Sequence, residues 1–252
     1  MSPPRFRLDL LVVARGLAPT RERARALILA GQVMVDGTPF TKAGTSVSED
    51  ATITLKQPDH PWVSRGGLKL DHALKTFAID VTGVTALDIG ASTGGFTDVL
   101  LARGAARVVA LDVGSGQIDW RLRTDPRVTC LERMNARHLT ADMLPADARR
   151  FGIITIDVSF ISLAHVFPVL PPLLEPGGRV VALVKPQFEA GRGEVGAGGI
   201  VRDPAVHDRV IRDVTEMAHR VGLERIGLEP SPITGAEGNR EFLMLLRSSR
   251  DG

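Results

Sequence analysis

Two aspartates and a run of glycines form the first set of residues that could do chemistry. Asp88 sits inside the apolar run Val84 to Ile89, and Gly90, Ala91, Ser92, Thr93, Gly94, Gly95 and Phe96 follow at once. Asp112 ends the next apolar run, Arg107 to Leu111. Glycines at such a turn let the backbone approach a ligand where a Cβ would collide. The spacing is not Gly-x-Gly-x-x-Gly, so the dinucleotide fingerprint fails. Gly90 and Gly95 have the outer spacing of a phosphate loop, but Phe96 stands where its Lys is needed. A glycine turn with Asp88 and no phosphate-binding cation suits a nucleoside carrying a compact cationic tail. Asp112 could accept hydrogen bonds from both ribose hydroxyls. Each aspartate alone could merely cap a turn; the pair in this register favours a nucleoside site. Asn135, in the exit loop of a third apolar run, could reach the edge of an adenine ring.

A second set is more scattered. Asp157 ends the run Gly152 to Ile156, Lys185 ends the run Arg179 to Val184, and Glu241 opens the run Phe242 to Leu246. Lys69 stands in the first turn of a helix expected over Ser64 to Phe77. That is a poor place for a cation, because the helix dipole is positive there. Solvated ion pairs at a sheet edge are the plain alternative for these residues.

These residues must be positioned by strands and helices in alternation. Short apolar runs ending in glycine turns, each followed by a helical stretch, predict a doubly wound α/β domain whose ligands lie at the carboxyl ends of the strands. A helix expected over Ile161 to Leu174 meets Pro168, Pro171 and Pro172 and must be kinked or short. Residues 186 to 202 are glycine-rich and are expected to form a mobile lid. Asp203-Pro204 opens a helix running to about Val221.

At this point the chain resembles the S-adenosylmethionine-dependent methyltransferases. The resemblance implies a seven-stranded, mostly parallel Rossmann-like sheet whose last strand runs antiparallel between the fifth and sixth. The start of that strand then lies beside the ends of the others, which would gather Lys69, Asp157, Lys185 and Glu241 at one mouth. Two lysines and two carboxylates there suit methylation of a ribose 2′-hydroxyl, a weak acid that needs a base or a positioned lone pair. Lys69 near Lys185 would disfavour the charged amine, and the carboxylates would counter that. Amino-group methyltransferases with an Asn-Pro-Pro-aromatic motif fit worse, since the sequence here is Asp157-Val-Ser-Phe160. Pyrimidine carbon-5 enzymes resemble one another in a Pro-Cys nucleophile, whereas Cys130 follows Thr129.

The chain has 252 residues, 44% of them hydrophobic, and a net charge of +2. That length allows one large α/β domain and a small one. A single cysteine permits no internal disulfide and fits a reducing cytosol. No apolar run approaches the ~20 residues that span a bilayer, and the amino-terminal residues lack a signal-peptide core. A cytoplasmic location is therefore expected.

Residues 1 to 59 read as a separate α+β module. Leu8, Leu11 and Val12 line a first helix. Thr20 caps a second, whose apolar stripe is Ala24, Leu27 and Ile28. Asp36-Gly37 marks a hairpin turn. The set Arg7-Leu-Asp, Arg21-x-x-Ala-x-x-Leu-Ile-x-x-Gly-x-Val-x-Val-x-Gly and Lys42 resembles the S4-like RNA-binding module. Arg5, Arg7, Arg21, Arg23, Arg25 and Lys42 are its candidate phosphate contacts, joined by Arg65 beyond the linker. Such contacts position RNA more than they read it. Gln57 to Pro61 is proline-broken, with residues 60 to 63 expected as linker, Trp62 as an interdomain wedge and a methyltransferase domain over 64 to 252.

With both parts in view, the chain resembles the TlyA (haemolysin A-like) family of rRNA 2′-O-methyltransferases, with an FtsJ-like catalytic domain. The motifs are Ser64-Arg-Gly-Gly-x-Lys69-Leu, Asp88 to Asp98, Asp157-Val-Ser-Phe-Ile-Ser-Leu, Val184-Lys-Pro-Gln-Phe-Glu and Gly238-Asn-x-Glu241. The resemblance implies a Lys-Asp-Lys-Glu tetrad at Lys69, Asp157, Lys185 and Glu241, and a cofactor pocket at Gly90 to Phe96 with Asp112. It also implies transfer from S-adenosyl-L-methionine to cytidine 2′-hydroxyls of the large ribosomal subunit, with the small subunit left open. Members that methylate both subunits carry an Arg-x-Trp-Val linker, whereas this chain has His60-Pro61-Trp62-Val63. A monomer acting on ribosomal RNA or its subunits, without membrane or metal, is expected. The competing readings are a membrane-lytic protein and a non-catalytic rRNA assembly factor.

Overall fold

The computed structural model describes residues 3–18, 20–56, 60–191, 193–235 and 237–249. The helix break expected at Pro19 and the linker residues Gln57 to Asp59 lie outside them. The chain divides into two compact units, Met1–Pro61 and Trp62–Gly252.

The first unit runs β1 (Arg5–Arg7), α1 (Leu8–Ala14), α2 (Arg21–Leu29), β2 (Val33–Val35), β3 (Thr38–Phe40), β4 (Ser46–Ser48) and β5 (Ile53–Leu55). The Thr20 hydroxyl accepts the Arg23 N–H at 3.2 Å and caps α2, satisfying one of the helix's orphan donors. Asp36 and Gly37 both hold positive φ, +50° and +78°, with Val35 paired to Thr38. This is the two-residue turn that matches strand twist. Strand β5 pairs with the other side of β2, and β1 pairs with β4. Leu8, Val12, Ala24, Ile28 and Val33 are fully buried between these elements, while Leu27 is half-buried.

The second unit begins with α3 (Gly66–Thr76) and continues through β6 (Thr85–Ile89), α4 (Gly95–Ala102), β7 (Arg107–Leu111), α5 (Trp120–Arg123), β8 (Val128–Leu131), β9 (Phe151–Ile156), β10 (Leu174–Val184), α6 (Pro186–Glu189), α7 (Pro204–Arg220), β11 (Leu223–Pro230) and β12 (Phe242–Ser248). Among the described residues its sheet has seven strands in the order β11-β12-β10-β9-β6-β7-β8. Strands β10, β9, β6, β7 and β8 are parallel. Strand β12 is antiparallel to both its neighbours, β10 and β11. Leu87, Ile89, Ile154 and Ile156 feed the core on one face of the sheet; Ala86 and Ile153 feed the other. Continuous apolar runs are what a strand buried on both faces requires. The expected α/β architecture with an inserted antiparallel last strand is the one observed.

One local expectation changes. The helix expected over Ile161 to Leu174 is instead three short 3-10 turns, Leu163–His165, Phe167–Val169 and Pro171–Leu173. Pro168, Pro171 and Pro172 lack the N–H donors that an α-helix needs. Trp62 belongs to the second unit. Its ring lies on Gly67, at the start of α3, where a Cβ would collide with it.

Candidate active site

The sheet topology turns a long sequence separation into contact. Glu241 immediately precedes β12 and so lies at the edge where β6, β9 and β10 end. Its Oε2 accepts a hydrogen bond from Lys69 Nζ at 2.6 Å. Both groups are nearly enclosed, with side-chain exposures of 10% for Lys69 and 3% for Glu241. Asp157 follows β9 and Lys185 follows β10; Lys185 Nζ stands 2.6 Å from Asp157 Oδ1. The same amine donates to Ser159 Oγ at 2.9 Å. Each lysine therefore has its own carboxylate.

Lys69, Asp157 and Lys185 line one cleft of about 260 Å³, with Arg65, Phe96 and the Gly90 to Thr93 turn. Glu241 stands behind Lys69. A second cleft of about 530 Å³ is lined by Asp112, Asn135, Met134, Val113 and Ile161. Gly90, Ser92, Asp157 and Ser159 belong to both walls, so the two clefts share an edge.

Gly90 makes that edge possible. Its φ is +84°, and a Cβ there would collide with the Asp157 carbonyl. Gly94 also needs positive φ, +96°. Asp112 holds the turn from the other side: its two carboxylate oxygens accept Ser92 N–H at 2.8 Å and Gly114 N–H at 2.7 Å. Asn135 Oδ1 accepts the Arg137 N–H at 3.0 Å, which leaves its amide N–H groups available to the cleft.

Asp88 takes a different position from the other candidates. It is fully buried behind the turn and lines neither cleft. Thr97 and Thr155 hydroxyls donate to its carboxylate at 2.7 and 2.9 Å. Burial pushes its carboxyl up to about 6, with those hydroxyls opposing. The folded protein therefore prefers Asp88 protonated, and stability falls as pH rises from its ordinary value near 3.8 through 6. Each pKa unit is worth about 1.4 kcal/mol, so the full penalty is about 3 kcal/mol. Asp88→Asn removes it. The stability of the variant relative to wild type should therefore rise by roughly 2 kcal/mol between pH 4.5 and 7.5. Urea unfolding at the two pH values measures this, and a constant difference would rule it out.

The residues 62–248 match the FtsJ-like methyltransferase family and residues 6–53 match the S4 domain. The chain is 48% identical to the 16S/23S rRNA (cytidine-2′-O)-methyltransferase TlyA of Mycobacterium tuberculosis over 248 residues, covering 98% of this chain and 91% of that one. The chain belongs to the TlyA family of FtsJ-like methyltransferases. A solved structure from Streptococcus thermophilus that carries a hemolysin name is 44% identical, with a TM-score of 0.76 over 98% of this chain and 90% of that one. An S-adenosylmethionine-dependent methyltransferase from Mesorhizobium loti, 19% identical, shares the fold at a TM-score of 0.51 over 71% of this chain and 99% of that one. In the described residues of this TlyA-family chain no helix is long and apolar enough to cross a membrane.

The S4 unit of this TlyA-family protein distributes its arginines unevenly. Arg7 donates twice to Asp9, at 3.0 and 2.9 Å, and Arg21 Nε donates to the same carboxylate at 3.0 Å. Asp9 is fully buried, and the Arg7 hydrogen bond holds its carboxyl down at about 2 against the cost of burial. Arg5 donates to the Ser46 carbonyl. Arg23, Arg25 and Lys42 are exposed. Arg65 belongs to the second unit, where it lines the lysine cleft and donates to the Thr234 carbonyl at 3.3 Å. Thus Arg7 and Arg21 carry structural ion pairs as well as any RNA contact.

Three further residues earn a place in the site. Ser159 touches Lys185 and lies in both clefts. Phe160 is 91% exposed beside the second cleft, with φ +64°. A bulky side chain rarely holds a left-handed backbone, and large exposed aromatics invite a partner. Glu189 is partly buried in the α6 turn and accepts hydrogen bonds from Ser162 Oγ at 2.6 Å and Leu163 N–H at 2.8 Å. It thereby ties the loop after β9 to the turn after β10, and burial raises its carboxyl above the ordinary range. In sequence, the signal for Ser159 and Phe160 is their adjacency to Asp157. The pairing of Glu189 with Ser162 leaves no local trace.

The glycine-rich stretch expected as a lid is bonded in its described part. Asn239 Oδ1 accepts Val201 N–H, and its amide donates to the Gly199 carbonyl, both at 2.9 Å.

Proposed function

We propose that this protein transfers a methyl group from S-adenosyl-L-methionine to the 2′-hydroxyl of a cytidine in ribosomal RNA. The reading rests on one observation: two lysine–carboxylate pairs stand at a cleft that shares Gly90, Ser92, Asp157 and Ser159 with a larger pocket lined by Asp112 and Asn135. The activity for which the Mycobacterium tuberculosis relative is named supports it.

The larger pocket suits the cofactor. The Gly90 turn, which lines it, packs against the Asp157 carbonyl so closely that a Cβ would collide there. Asp112, already fixed by two backbone N–H groups, keeps lone pairs for ribose hydroxyls, and Asn135 can serve the base edge. Gly90 to Phe96 would hold the methionine end. Bound there, S-adenosyl-L-methionine supplies a methyl group activated by a sulfonium.

The protein's own groups do the rest. Lys185 accepts the proton of the 2′-hydroxyl, and Asp157 fixes the amine. Lys69, positioned by Glu241, favours negative charge developing on the oxygen. Phe160 offers a face on which a base withdrawn from its stack can rest. Arg5, Arg7, Arg21, Arg23, Arg25 and Lys42 in the S4 unit, with Arg65 beside the cleft, bind phosphate. A ribosomal substrate places the protein in the cytoplasm.

Tritiated methyl transfer to ribosomal subunits, followed by mass mapping of 2′-O-methyl cytidine, tests the proposal; label on a base or on protein would overturn it. For RNA docking, Arg23→Ala with Arg25→Ala avoids disturbing the Asp9 pairs. Each lost phosphate contact lowers the salt slope of binding by about 0.7–0.9, so the double variant should flatten it by roughly 1.5. A filter-binding titration from low to high salt measures the slope, and an unchanged value would remove both residues from the interface.

A further inference from the structure

We propose that Gly235 is a positioning residue: the room left by its missing side chain seats the Glu241 carboxylate against Lys69. The inference rests on the Lys69–Glu241 pair serving the proposed reaction. One carboxylate oxygen of Glu241, Oε2, accepts the Lys69 hydrogen bond at 2.6 Å. The other, Oε1, lies against the backbone of Gly235. A Cβ at that residue would stand 2.6 Å from Oε1 and 3.3 Å from Cδ, and the first separation is well inside van der Waals contact. Two glycines of this loop are needed for different reasons. Gly238 holds φ +90° with open space around it, so its backbone is the constraint. Gly235 is buried and has no left-handed φ, so space is the constraint there.

Hydrogen bonds hold the loop where it is. Gly235 N–H donates to the Asn239 carbonyl at 2.9 Å, and the Gly235 carbonyl accepts the Gly238 N–H at 3.0 Å. Ser231 N–H closes the base of the loop on the Glu241 carbonyl at 2.8 Å. Asn239 is buried, and its side chain is bonded to Gly199 and Val201. A methyl group at position 235 would therefore move the carboxylate, which is the freer of the two. The Lys69 amine stands on the carboxylate's other oxygen, so the displacement is taken up in the ion pair. Gly235 itself lines neither cleft, so the cofactor pocket is spared. A shift of about 1 Å in a group that acts on the reacting atoms costs on the order of a hundredfold in rate.

The test is methyl transfer by Gly235→Ala, with calorimetry of S-adenosylmethionine binding and urea unfolding on the same variant. The kcat should fall about ten- to a hundredfold, with the Kd for S-adenosylmethionine within about twofold of wild type. An unchanged kcat overturns the inference, and so does a loss confined to cofactor affinity. The same substitution in a Lys69→Met, Glu241→Ala background, which holds neither charge, separates a clash with the carboxylate from a need of the loop itself. Gly235→Ala should lower the urea midpoint of wild type and leave that of the background unchanged or raised. Equal lowering in both overturns the inference. If Gly235→Ala alone fails to fold, folding of the background with and without it decides: tolerance there supports the clash, and unfolding there overturns it. Glu241→Gln, run in parallel, separates the layers. If it keeps full activity, the reading of the pair as part of the chemistry falls; if it is inactive while Gly235→Ala is normal, only the role of Gly235 falls.

Discussion

Lys185→Ala should reduce methyl transfer about a thousandfold or more while S-adenosylmethionine still binds. General-base catalysis is worth ~10²–10⁴ in rate, and a thousandfold is about 4 kcal/mol of barrier. The choice between the two lysines follows from their surroundings. Lys69 is locked to Glu241 within a nearly closed pocket, with its amine engaged by that carboxylate. Lys185 is paired to the more open Asp157, whose side chain is 22% exposed and which walls both clefts. It also contacts the Ser159 hydroxyl and lines the cleft. Lys185→Arg should fail as fully as Lys185→Ala, because a guanidinium stays protonated at any working pH. Calorimetry with S-adenosylmethionine alone checks that the cofactor pocket survives. Activity within tenfold of wild type in either variant would take Lys185 out of the chemistry.

The second large effect is on stability. Glu241→Ala leaves the Lys69 ammonium in a site that is 8% exposed, without the carboxylate that now neutralises it. Breaking a buried pair from one side costs about 3–5 kcal/mol, whereas replacing both members by apolar groups can be nearly neutral. Glu241→Ala should thus lower the unfolding free energy by about 3–5 kcal/mol, and Lys69→Met combined with Glu241→Leu should regain most of it. Denaturant unfolding of the two variants gives the comparison. The double variant should remain inactive although folded, which distinguishes a role in chemistry from one in folding. A single variant that loses less than about 1 kcal/mol would mean that water reaches Lys69 freely.

Burial explains why the four residues divide as they do. The Lys69–Glu241 pair is the more enclosed of the two, because its carboxylate is 3% exposed against 22% for Asp157. The Lys185–Asp157 pair lies at the surface of the cleft, where an amine can exchange a proton with a substrate. Glu189, by clamping the loop after β9 to the turn after β10, keeps Asp157 and Ser159 in register with Lys185. Asp88 supports the same region from behind through Thr97 and Thr155, and its cost at neutral pH falls on stability.

Much of this protein could be read from its sequence because the governing interactions are local. Apolar runs of strand length fixed β6, β7, β9 and β10, and Asp36-Gly37 announced its hairpin through the φ values it tolerates. Gly90 and Gly94 marked the turn that only glycine can make. Adjacency to strand ends picked out Asp112, Asp157, Lys185 and Glu241. Tertiary structure alone decided the partners. Lys69 meets Glu241 across 172 positions of sequence because β12 inserts antiparallel beside β10, and no local spacing encodes which lysine takes which carboxylate. The same holds for Arg7 and Arg21, which look like free phosphate ligands until a fully buried Asp9 claims both. It holds for Asp88 as well, which faces two buried hydroxyls and not the cleft. Secondary structure follows from neighbours along the chain, whereas the neutralisation of a charge depends on what the completed fold brings within 3 Å of it.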